Sequence, residues 1–264
     1  MNGLLRILLW YFVIDFSLHF LYFDAVLSDP WELRVIPKTQ LTALGYSMGQ
    51  FFHMKYLVIF GFFSLFARLD NMAPPGQPIC VSHVVLWSKI WRNFDRGLYA
   101  VFKHYIFLPI CRPSFSLWRK VLALVVCFGF VLVWHGFDRH YQIWVALNGA
   151  EILIENVSKA LYSLPTVRGW RERNVSDCNF RRILGWLQVL PYGFALYSSF
   201  YFLAGYNAGT VYTDRILWGE NFPLRMGGVV LITMGYVFSQ CCMEYERYVG
   251  EKEKLGRKME RKKE

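Results

Sequence analysis

The chain has 264 residues, 55% of them hydrophobic and 19% aromatic, and its mean hydropathy is positive. Ordinary soluble domains carry about 45–50% apolar residues even with glycine counted, so a soluble globular domain is excluded and an integral membrane protein is expected. The formal net charge of +10 collects in loops and in the tail rather than along one polar face, which speaks against nucleic acid and for the basic loops that orient membrane spans. The cysteines Cys80, Cys111, Cys127, Cys178, Cys241 and Cys242 show no CxxC or finger-like spacing, so neither a disulfide framework nor a zinc site is expected.

In chain order, residues 4–27 read as a first span with no small-residue cleavage site, hence no removable signal peptide. Asp15 and His19 fall four apart inside it and so share a helix face. They mark either a polar pathway or a mutually hydrogen-bonded pair that packs helices together. After Asp29-Pro30 and Pro37 comes a second apolar stretch, 41–67, containing His53 and Lys55 and long enough to span with tilt. Residues 68–80, with Pro74, Pro75 and Pro78, cannot remain helical.

Residues 87–109 then mix aromatics and charges at helical spacing. This is too polar for a lipid-facing span and too aromatic for a solvated loop, so it is expected to form short or re-entrant helices lining a cavity, within a re-entrant, cavity-lining segment 68–116. Trp87, Trp91 and Phe94 share one face with Asp95 beside them. That carboxylate is expected either to hold its proton more tightly against the indoles or to pair with Arg92 or Arg96.

The stretch Val121–Trp134 carries no charge and delivers His135 and Gly136 at its end. Lys120 and Arg119 snorkel at its start, and the whole fits a membrane helix of roughly 20 residues. Gly136 reads as the helix stop. His135 either caps the helix C-terminus or, as a ring that titrates near neutral pH, moves protons at a membrane face.

A polar turn to His140 leads into a span at 141–161, on which Asn148, Glu151 and Glu155 give one polar face. An arginine-rich loop (Arg168, Arg171, Arg173, Arg181, Arg182), a span to about Leu203, a turn at Gly205–Gly209 and a final span from about Met226 to Tyr245 complete the bundle. The tail, 247–264, alternates basic and acidic residues as a solvated helix or coil. Placing that tail in the cytosol puts 163–182 and 112–120 there too and His135 near the lumenal side, as the positive-inside rule requires. The sequons at Asn156 and Asn174 fall in a helix and in a cytosolic loop and are discounted.

The pieces Met54–Gly61, Arg68–Asp70, Pro74-Pro75, Cys80–Ser82, Trp91–Leu98, Trp134-His135-Gly136 and Ala146–Asn148, in this order and spacing, resemble the membrane-bound O-acyltransferase family and, within it, the branch that acylates hedgehog proteins. The resemblance covers the carboxy-terminal half of that family's length. It implies an all-α, multipass transmembrane helical bundle, a partial acyltransferase core, in the endoplasmic reticulum. It further implies transfer of a palmitoyl group from palmitoyl-CoA to the N-terminal cysteine amine of a secreted hedgehog-type protein. By the same resemblance His135 is the catalytic histidine, Asp95 its partner across a channel, Trp91 and Trp134 line the substrate pocket, and Cys80 matches a haem-iron ligand. From the residues alone, Cys80 is equally a buried or lipidated thiol.

No Ser or Cys occupies a nucleophile motif, so direct transfer is expected, with imidazole as general base to the amine. The competing readings are a non-enzymatic relative that binds or regulates a partner, and a channel or transporter. The absence of an inverted repeat between the halves argues against the latter.

Overall fold

The computed structural model describes residues 2–81, 86–112, 114–217 and 226–260, and among these every regular element is a helix. The chain opens with α1 (Asn2–Leu18), α2 (Phe23–Ser28) and α3 (Pro30–Val35), then the long α4 (Lys38–Leu69). After the proline-rich segment come α5 (Trp87–Asn93), α6 (Arg96–Val101), a π-helical turn (Phe102–Phe107) and α7 (Leu108–Cys111). The remainder is α8 (Leu117–His135), α9 (Arg139–Ser163), α10 (Pro165–Asn174), α11 (Asp177–Tyr212), a second π-helical turn (Thr213–Leu217) and α12 (Met226–Glu260). Two of these, α4 and α8, are long and apolar enough to cross a membrane. The short helices between them are of the kind expected for a segment that lines a cavity rather than one that faces lipid.

The apolar surface divides as a lipid-embedded bundle requires. On α8 only Ala123, Phe128 and Val131 are buried, whereas Val125, Val133 and Trp134 are exposed. Leu5, Leu9 and Phe16 of α1 and Phe63 and Phe66 of α4 are exposed in the same way. In water such a shell would be an association hazard. In hydrocarbon it is neutral.

The first span is shorter than its sequence suggests. Helix α1 stops at Leu18 because the ring Nδ1 of His19 bonds the backbone carbonyl of Asp15 at 2.8 Å, and the amide of His19 turns instead to Phe16 at 3.2 Å. Side-chain bonding of this kind competes with the helical ladder. The expected Asp15–His19 pair is therefore a contact of ring with backbone, not of ring with carboxylate. Asp29 then caps α3, accepting from the amide of Trp31 at 2.8 Å.

The arginine-rich stretch is likewise not a loop. Pro165 starts α10, where its missing N–H costs nothing, and Ser176 caps α11 by accepting from the amide of Asn179 at 3.3 Å. The arginines are spent locally: Arg168 on Glu172 at 2.9 Å, Arg171 on Asp177, and Arg181 on Glu244 at 3.0 Å.

The turn expected at 205–209 is present as a break at Gly205 (φ 79°, ψ −178°), after which the chain re-enters helix as far as Tyr212. The final helix runs on through the charged tail to Glu260, aided by spacings such as Arg247–Glu251 at 3.5 Å.

Gly136 ends α8 with φ 104° and ψ 166°, a region that only glycine occupies without strain. Gly136→Ala is expected to lower unfolding stability by about 1–3 kcal/mol. Gly129→Ala, on the same helix where an added Cβ meets nothing within 4 Å, is expected to be neutral or stabilising by up to about 1 kcal/mol. Denaturant unfolding of both variants in micelles measures the difference.

Two cores hold the bundle. One joins Trp87, Phe102, Phe128, Val131, Trp144 and Ile152. The other gathers Leu33, Leu41, Tyr197, Tyr201 and Tyr212 and is stitched to the amino-terminal helices by Tyr212 Oη donating to the carbonyl of Leu41 at 3.2 Å and Arg215 to that of Leu33 at 2.6 Å. The first core carries the site.

Candidate active site

His135 is the last residue of α8 and is partly exposed. Its ring lies 5.6 Å from that of Tyr141, 5.3 Å from Trp144 and 5.2 Å from Phe202, standing almost perpendicular to the latter two at 87° and 89°. Trp144 and Phe202 stack on each other at 4.2 Å. The imidazole is thus fixed by two aromatic walls contributed by α9 and α11. Among the described residues no hydrogen bond occupies either ring nitrogen, so the unprotonated one of the neutral ring is free to take a proton.

Asp95 sits at the N-cap of α6, where its Oδ1 accepts from the amide of Leu98 at 2.8 Å. It is not engaged with Arg92 or Arg96 in an ion pair. It lines a cavity of about 400 Å³ walled by Phe60 and Ser64 of α4, Pro75 and Gly76 of the proline-rich segment, and Arg96. At Gly76 a Cβ would lie 2.5 Å from the Arg96 guanidinium, the movable end of that side chain.

No hydrogen bond or ion pair joins Asp95 to His135. What joins their surroundings is a run of rings: Phe94, beside Asp95, stacks on Phe52 at 5.3 Å, Phe52 meets Phe202 at 5.8 Å, and Phe202 meets His135. Buried His53, whose Nδ1 has no partner, lies 6.4 Å from Phe94 in the same run.

Trp91 belongs to this assembly. Its ring meets Phe128 at 5.0 Å and Trp144 at 5.7 Å, and its indole N–H donates to Asn148 Oδ1 at 2.9 Å. Asn148, 1% exposed, also accepts from Trp87 Nε1 and donates to the Trp144 carbonyl at 2.8 Å and to Ser198 Oγ at 2.7 Å. One and two turns on, Glu151 accepts from Gln188 at 3.1 Å, and Glu155 accepts from the amide of Ser88 at 3.1 Å and its hydroxyl at 2.5 Å. The polar face read on 141–161 is therefore a buried seam clasping α5 and α11.

A sequence profile of the membrane-bound O-acyltransferase family matches residues 2–190. The chain belongs to the membrane-bound O-acyltransferase family. Among curated proteins it is 30% identical over 242 residues to the protein-cysteine N-palmitoyltransferase Rasp of Drosophila melanogaster, covering 91% of this chain and 47% of that one. It is 31% identical over 237 residues to the mouse protein-cysteine N-palmitoyltransferase HHAT, covering 90% and 46%. A membrane-bound O-acyltransferase GUP1 of Millerozyma farinosa matches at 28% over 152 residues, 57% of this chain and 29% of the relative. The chain spans about half the length of the palmitoyltransferases it matches.

Within this member of the family, the remaining two site residues stand apart from His135. Trp134 is 75% exposed and stacks on Phe130 at 6.1 Å along the outer face of α8; adjacent residues on a helix point about 100° apart, so it does not join the rings around the imidazole. Cys80 is a partly buried free thiol on the proline-rich segment. Among the described residues no group of three or more His, Cys, Asp or Glu gathers to hold a metal ion, and Cys80 lies outside the cavity at Asp95. Nothing among the described residues beside the thiol itself supports haem at Cys80.

Sequence reading missed Asn148 as the centre of the seam, though its spacing from Trp144 and Glu155 on one face was a usable signal. Phe202 gave none, because its role arises only when α11 is laid against α9.

Proposed function

We propose that this chain carries the acyl-transfer centre of a protein N-palmitoyltransferase of the endoplasmic-reticulum membrane, taking palmitoyl-CoA as donor and the N-terminal cysteine amine of a hedgehog-type secreted protein as acceptor. The observation that carries the reading is the His135 imidazole, unoccupied at both nitrogens and walled by Trp144 and Phe202 at the end of an apolar helix. The two protein-cysteine N-palmitoyltransferase relatives support the palmitoyl donor and the cysteine acceptor; the hedgehog-type protein follows from the family resemblance.

A terminal amine with a pKa of about 7.7–8.0 is partly protonated at neutral pH. His135 takes its proton as the nitrogen attacks the thioester carbonyl. The N–C bond forms, the C–S bond breaks, and the imidazolium returns the proton to the departing coenzyme A thiolate, so no acyl-enzyme is needed. Aromatic walls suit the acyl chain, since each methylene withdrawn from water contributes about 0.8 kcal/mol. Asp95, on a cavity wall and with no hydrogen bond to His135, is better placed to hold substrate than to orient the base.

Amine acceptors separate this reading from ester formation, the chemistry named for the GUP1 relative. Purified protein given labelled palmitoyl-CoA is expected to label a peptide beginning with cysteine, and to label neither its N-acetylated form nor glycerol. Labelling of the hydroxyl acceptor instead would replace the amine reading. The alternative is a non-catalytic relative that binds a partner; binding of the peptide without any label transferred would establish it.

A further inference from the structure

We infer that Asn148 is the positioning residue of this site, the single side chain that sets where Trp91 and the walls of His135 stand. The inference rests on the reading of His135 as base and goes beyond it to the group that holds the base in place. Asn148 has two acceptor and two donor positions, and all are used on three different elements. Two indole N–H groups of α5, from Trp87 and Trp91, converge on Oδ1. Nδ2 is divided between the carbonyl of Trp144 on its own helix and the hydroxyl of Ser198 on α11. Ser198 in turn donates to the Ala195 carbonyl at 2.6 Å, which leaves its oxygen free to accept only from Asn148.

Each tether leads to a ring of the site. Ser198 lies one helical turn before Phe202, so pinning the hydroxyl pins the face from which Phe202 reaches His135. Trp144 lies one turn before Asn148 and forms the other wall. Trp91 packs its ring on Trp144 at 5.7 Å. Asn148 does not touch His135; it acts through these rings. An apolar residue of its size would fill the space but remove the acceptor on which both indole N–H groups converge and the donor to Ser198, and the rings would be free to turn toward other partners.

The test uses the full chain in micelles and two readouts. The first is the rate at which diethyl pyrocarbonate modifies individual histidines, read by mass spectrometry. Asn148→Ala is expected to raise the rate at His135 severalfold and leave exposed His19, just after α1, unchanged; an unchanged His135 rate overturns the inference. The second is steady-state acyl transfer, where Asn148→Ala is expected to lower kcat about 10- to 100-fold through misplacement of the base, with KM for palmitoyl-CoA little altered. Part of that loss should already be present in Trp91→Phe and so fail to add in the double variant. Equal loss in KM and kcat, or strict additivity, overturns it.

Should Asn148→Ala not fold, Ser198→Ala, which removes one tether only, is read the same way, with a smaller rise at His135 expected and none contradicting the inference. If the wild-type chain transfers no acyl group, the proposed function fails while the modification rates still decide the role of Asn148.

Discussion

Replacing His135 with alanine is expected to lower kcat for palmitoyl transfer by about 100- to 10,000-fold, the range that a positioned general base contributes. The fold should survive the change. The residue is partly exposed at the end of α8, the helix stop belongs to Gly136, and the ring's neighbours Trp144 and Phe202 remain stacked on each other. Loss of the imidazole removes one edge-on contact with each, worth about 0.5–1.5 kcal/mol per pair. Thermal unfolding should therefore move little while turnover collapses, and the two measured on one preparation distinguish a lost base from a lost fold. Retained turnover would show that the amine is deprotonated elsewhere, with buried His53 the next group to examine.

The second large effect is expected at Glu155, and on stability. Helix α5 begins at Trp87 after Leu86, which offers no side-chain cap. Its first turn is capped instead from α9, where Glu155, 4% exposed, accepts both the amide and the hydroxyl of Ser88. Truncation to alanine strands two buried donors at about 1–3 kcal/mol each, so Glu155→Ala is expected to cost about 3 kcal/mol of unfolding free energy. Lys159, whose side chain is 53% exposed where it meets Glu155 at 3.4 Å, is a control: Lys159→Ala should cost under about 1 kcal/mol. Because α5 also carries Trp91, the Glu155 variant should lose activity along with stability. An unfolding midpoint equal to wild type would show that the first turn of α5 is held by something other than this carboxylate.

The contrast between what could and could not be read from the sequence follows the range of the forces involved. Helix α8 and its stop at Gly136 were legible because an unbroken apolar run and a glycine are local signals. The polar face of α9 was legible because its residues recur at helical spacing. The end of α1 was hidden: a histidine bonding a backbone carbonyl four residues back looks, in sequence, the same as a histidine pairing with the aspartate side chain there. The arginine-rich helix α10 was hidden by its charge, which suggested a loop until Glu172 and Asp177 were seen to pair with Arg168 and Arg171. The sequence brought His135, Trp91 and Asp95 forward together, yet only packing shows that rings separate the imidazole from the carboxylate and that an asparagine two turns into α9 ties the walls together.

The most direct measurement is the chemistry of the product. The purified full chain is incubated with labelled palmitoyl-CoA and a peptide beginning with cysteine, beside the His135→Ala chain, and the peptide is treated with hydroxylamine and mapped by mass spectrometry. Label held on the terminal nitrogen as a hydroxylamine-resistant amide, and absent with His135→Ala, is the expected result. Label formed equally by both chains, or no label on the amine while the donor remains intact, would contradict a His135-centred acyl transfer.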